Sequence, residues 1–156
     1  MLKRWLQWLP VGLVLAALVM AVVWLTQPRN FSDVARLEET TSVYVYTTDD
    51  TPQRTLLESR PERDEAEPLL NLLESGTLRL KGFCRTISWE ADQSLYHLYL
   101  DTWSPEGEWQ GYASLALRSD GMLYKSIGEW GYLRYELSGC SMDAVLAELA
   151  ALPGMT

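Results

Sequence analysis

Apolar and polar residues are arranged in three ways along this chain, and each predicts a different kind of element. From Trp5 to Pro28 there is no charge, and apart from Trp24 the stretch 13–25 is all Leu, Val, Ala and Met. The run is about 24 residues, roughly 36 Å as a helix, more than the ~30 Å hydrocarbon core of a bilayer. Trp5, Trp8 and Trp24 fall near its ends, where indole rings settle at headgroup level. Lys3 and Arg4 precede it. The pattern therefore predicts a transmembrane signal anchor over 5–28, with 1–4 a cytoplasmic tail and the remainder outside. A cleaved secretory signal is the competing reading, against which Val23 to Pro28 makes a poor cleavage site. Residues 29–38 then read as a juxtamembrane stalk, and 39–156 as one extracytoplasmic domain.

Within that domain the second pattern has a period of two. Residues 41–47, with Ser-Val-Tyr-Val-Tyr at their centre, predict a strand, and Asp49-Asp50-Thr51-Pro52 a turn inside the polar stretch 48–67. Strands follow at 77–89, 95–103, 109–117, 122–127 and 130–137. The first of these is bulged at Gly82, because the apolar set moves from Leu78 and Leu80 to Phe83, Ile87 and Trp89. The third pattern is helical. Ser59-Arg60-Pro61-Glu62 fits a capping box, and Pro68 puts the helix at about 65–75, with Leu69, Leu72 and Leu73 on one face and Gly76 closing it. Ser141 caps a last helix that buries Val145, Leu146, Leu149 and Leu152. The predicted fold is α+β: an N-terminal transmembrane helix, then an antiparallel sheet of about six strands, mostly meander, with two helices on one face.

Charge narrows the partners. All 21 acidic residues lie beyond residue 30, and only ten of the 13 basic ones do, so the domain carries −11. Such a surface repels phosphate backbones, which argues against nucleic acid. No nucleotide-binding, calcium-loop or nucleophile-elbow motif occurs, and His97 is the single histidine. No catalytic residue, metal or cofactor is assigned. Three features carry what chemistry there is. Alternation of strand ends brings Trp103, Trp109 and Trp130 to one rim, either as a plug of the core or as a binding edge for glycan or peptide. Cys84 and Cys140 would close a loop of about 56 residues if bridged, adding about 4 kcal/mol; buried free thiols are the alternative. His97 with either cysteine would make a nucleophile pair if neighbouring strands align, and a structural histidine otherwise.

The layout of Ser-Val-Tyr-Val-Tyr, Pro68-Leu-Leu-Asn-Leu-Leu, Ser119-Asp-Gly-Met-Leu-Tyr and Tyr135-Glu-Leu before a short helix resembles a loose group of small domains. These are membrane-anchored or lipoprotein-like extracytoplasmic α+β domains of Gram-positive bacteria, with no assigned activity. The resemblance covers about 40–152, lacks a lipid-attachment cysteine, and implies a non-enzymatic surface protein with no site residues to carry over. The expected function is a single-pass protein held in the cell membrane by 5–28. Its outer domain engages an envelope or membrane protein, in an oligomeric state the sequence leaves open. A glycan- or peptide-sensing module using the tryptophan rim, and a Cys/His-dependent enzyme, are the alternatives.

Overall fold

The computed structural model of the chain describes residues 2–37, 40, 42–48, 56–88, 93–104 and 106–155, with side chains throughout except at 2–9, 48 and 56. Among these residues the fold is α+β, one eight-stranded antiparallel sheet with four helices. Helix α1 (Leu2–Thr26) leads into a two-residue strand β1 (Arg29–Asn30) and a short helix α2 (Phe31–Ala35). Strands β2 (Ser42–Thr48) and β3 (Leu56–Ser59) form a hairpin ahead of α3 (Arg63–Ser75). Then come β4 (Thr77–Cys84), β5 (Leu95–Trp103), β6 (Trp109–Arg118), β7 (Met122–Ser126), β8 (Tyr132–Ser138) and α4 (Met142–Ala151). Across the sheet the order is β1-β4-β8-β7-β6-β5-β2-β3.

The meander β5 to β8 is closed by turns that satisfy their own backbone. Ser104 N–H donates to the Glu108 carbonyl at 2.8 Å, Gly121 N–H to that of Arg118 at 2.9 Å, and Ile127 N–H to that of Gly131 at 2.9 Å. Gly131 has φ 113°, and a Cβ there would lie 2.5 Å from the Cys84 carbonyl oxygen, so only glycine fits. One face of the sheet buries Val43, Val45, Leu98, Leu100, Leu115 and Leu117 under Phe31 of α2, Leu69 and Leu73 of α3, and Val145 and Leu149 of α4. Each such leucine contributes roughly 1.5–3 kcal/mol over exposure. A smaller cluster of Leu95, Ala116 and Tyr124 lies apart from this core, with Ile87 and Tyr132 against it.

Several expectations are corrected here. Among the described residues no helix is long and apolar enough to cross a membrane, which overturns the transmembrane signal anchor at 5–28 and the single-pass cell-membrane placement built on it. The supposed stalk belongs to the domain, because Phe31, Val34, Ala35 and Leu37 are buried in its main core. The sheet has eight strands rather than about six, and four helices stand where three were expected, the N-terminal one included; β1 and α2 are too short to show a period, and β3 lies within the polar stretch 48–67.

Smaller differences have local causes. The capping box sits three residues later than expected: Glu62 is the N-cap of α3 and exchanges hydrogen bonds with Glu65. Gly76 ends α3 with φ −84°, not in the left-handed region; a Cβ there would crowd Leu137 Cδ1 at 2.7 Å and the Ser138 carbonyl oxygen at 3.2 Å, so the leucine would have to shift. Strand β4 does shift register between Leu80 and Gly82 but stops at Cys84, because its partner β8 begins opposite, at Tyr132. The turn expected at 49–52 and Trp89 lie outside the described residues.

Candidate functional site

Helices cover only one face of the sheet. On the other, the period of two lines up Tyr44 and Tyr46 of β2, His97, Tyr99, Asp101 and Trp103 of β5, and Tyr112 of β6. The register sets Tyr44 opposite Tyr99, Tyr46 opposite His97 and Asp101 opposite Tyr112. The Tyr44 ring is 5.7 Å from Tyr46 and 6.0 Å from Tyr99, and Tyr99 is 5.8 Å from Tyr112. Interplanar angles of 39°, 36° and 42° ridge the surface along Tyr44, Tyr99 and Tyr112, while Tyr46 lies closer to parallel with Tyr99, at 18°. Between the rings runs an open groove of about 580 Å³, bounded by Arg60 and Pro61 on one side and by Trp103 and Tyr112 on the other.

The polar atoms of the groove are ordered by their neighbours. Tyr44 Oη donates to Glu58 Oε2 at 2.8 Å, and this bond, aided by desolvation, raises the phenol's pKa. The Arg60 guanidinium lies 4.9 Å over the Tyr44 ring, a cation–π contact that holds the groove wall. Tyr46 and Tyr99 hydroxyls face each other at 3.5 Å; burial first, then this contact, drives the Tyr46 pKa well above the tyrosine range. Tyr44 and Tyr46 therefore keep their protons at neutral pH, and that of Tyr44 is held by Glu58. His97 stacks flat on Tyr46 at 4.5 Å, and burial lowers its pKa, so the imidazole is neutral at pH 7. The arrangement offers apolar faces and hydrogen-bond donors, with no activated nucleophile.

The structure divides the residues singled out by sequence. Trp103 and Trp109 stand opposite one another across β5 and β6, next to a register shift that leaves Gln110 as the extra residue. Trp130 sits on a separate 3-10 turn, Gly128–Trp130. The three are 45%, 53% and 78% exposed, so none plugs the core. Of the three, Trp103 lines the groove. Trp109 leans on Tyr112 at 6.0 Å.

Cys84 and Cys140 are free. Cys140 packs beside Gly76, just before β4, while Cys84 ends that strand, a span of roughly 25 Å where a bridge requires less than about 7 Å. Nor does either cysteine meet His97. Cys84 packs against the second cluster of Leu95, Ala116 and Tyr124 without a hydrogen bond to the imidazole, and Cys140 belongs to the core on the helix side. Burial also raises the Cys140 pKa, away from thiolate. The tyrosines went unmarked by sequence reasoning because it followed the inward set of each strand. The available signal was the outward set, which is aromatic on three strands in succession.

Compared with known proteins, the chain matches no family model, no curated sequence and no solved structure. The resemblance to Gram-positive surface domains thus gains no support from relatives, and the groove has to be interpreted from its own geometry.

Proposed function

We propose that the chain is a non-enzymatic binding module whose aromatic groove takes an extended, proline-rich segment of a partner protein. The observation that carries this reading is the ridged row of tyrosine rings on the uncovered face of the sheet. Rings tilted by about forty degrees leave clefts between them, which suit the projecting rings of a polyproline II helix better than the flat face of a sugar. A polyproline II backbone has no internal hydrogen bonds, so its carbonyls are open to the Tyr46–Tyr99 hydroxyl pair, in which one proton bridges the two oxygens and the other is left for a ligand. Its conformation is set before binding, which keeps the entropic cost of association low.

The test is a titration of the full chain, dispersed in mild detergent because α1 exposes leucine and valine, with a ten-residue polyproline peptide. Tryptophan fluorescence is expected to change saturably, and Tyr99→Ala to weaken binding at least about tenfold, or ~1.4 kcal/mol. Trp130→Ala, outside the groove, is expected to bind as the parent does. A saturable response to cellohexaose in place of the peptide, or a Tyr99 variant with unchanged affinity, overturns the reading.

A further inference from the structure

A second cavity lies where the sheet changes width. Strand β7 pairs with β6 only at Leu115, Ala116 and Leu117, whereas β6 continues back to Trp109. Among the described residues no strand lies beside that extension, so alternate backbone N–H and C=O groups of 109–114 face an open notch. The end of α2 roofs the notch through Ala35 and Arg36, leaving a cavity of about 370 Å³. That is the lower end of the range for small-molecule sites.

The chemistry of the walls is polar and positive. Thr102, Ser114 and Ser126 contribute hydroxyls and Gln110 an amide, and Lys125 and Arg36 both line the space. Lys125 Nζ donates to the Val34 carbonyl at 2.5 Å, which engages one of the three N–H bonds an ammonium carries. None of the described residues lining the cavity is acidic, although the domain as a whole has twice as many acidic as basic side chains. We infer that the notch binds a small oxyanion, a carboxylate or phosphate monoester of metabolite size. Half-burial first, then the nearby Arg36 and Arg29, lower the Lys125 pKa, so positive groups are gathered at this notch. Simple helix capping accounts for the single bond from Lys125 to α2 but not for the hydroxyl and amide groups that share the cavity with it.

The experiment is calorimetric titration of the full chain with inorganic phosphate, with succinate, and with neutral succinamide. Two variants accompany it. Lys125→Met keeps the aliphatic stem without the charge. Arg36→Gly removes the guanidinium at a position with φ 55°, where glycine relaxes the backbone and folding is preserved. Saturable heat is expected with at least one anion and none with succinamide, and each variant is expected to weaken binding at least about tenfold. Binding of succinate alone assigns a carboxylate ligand, and of phosphate alone a phosphate monoester. Two results overturn the inference: no heat with either anion, or variants that bind as tightly as the parent while Lys125→Met merely lowers Tm, as a cap would.

Discussion

His97 lies flat on Tyr46, and its burial ties stability to pH. Its folded pKa is depressed below the ordinary value of about 6.5, so the unfolded chain takes up the proton first. Stability is therefore full above the unfolded value and is lost as pH falls through it, until the folded form also protonates. Thermal melts at pH 7.5 and 5.5 are expected to show a drop in Tm that shrinks in His97→Gln; an equal drop in that variant refutes the assignment. Gly131 carries a different constraint. Its positive φ and the Cys84 carbonyl beneath it predict that Gly131→Ala costs at least about 2 kcal/mol in urea denaturation. That glycine was visible in the sequence only as part of a turn; the carbonyl that excludes a side chain comes from a strand 47 positions away and leaves no local trace.

At the scale of elements, legibility followed length. Strands β5, β6 and β7 and helix α4 each hold several periods of their pattern, and their bounds matched the residues to within one or two. Strand β3 holds two periods and helix α2 little more than one, inside charged surroundings, and local pattern could not separate them from loop and stalk. Their order comes from tertiary contact. Phe31 is fully buried although its neighbours Ser32 and Asp33 are polar, so Phe31→Ala is expected to cost about 3–5 kcal/mol, where a residue in a free stalk would cost nothing. Ser141 accepts the Ala144 N–H at 3.3 Å, and Ser141→Ala is expected to cost about 1 kcal/mol, read in the same denaturation series.

For the whole molecule, the candidate groove was half legible. Trp103 was named from its place at a strand end, while its partners Tyr44, Tyr99 and Tyr112 come from strands far apart in sequence and meet only through the register. The expected disulfide fails for the complementary reason: Cys84 and Cys140 close a long loop on paper, yet the fold sends them to opposite ends of one strand. Reductant is accordingly expected to leave Tm unchanged, and a shift on adding it refutes the free-thiol assignment. The formal charge of −8 sets up self-repulsion that added salt screens, so Tm is expected to rise by a few degrees with sodium chloride.

The strand order has a consequence for reach. Chain leaving α1 enters the sheet at β1, its first edge, with Arg29 laid over Trp24 at 4.5 Å. The tyrosine groove is built around β2 and β5, five to six strand spacings away, on the order of 24–29 Å. The sheet is thus a stiff crossbar that holds the first helix at one edge and the mouth of the groove toward the other.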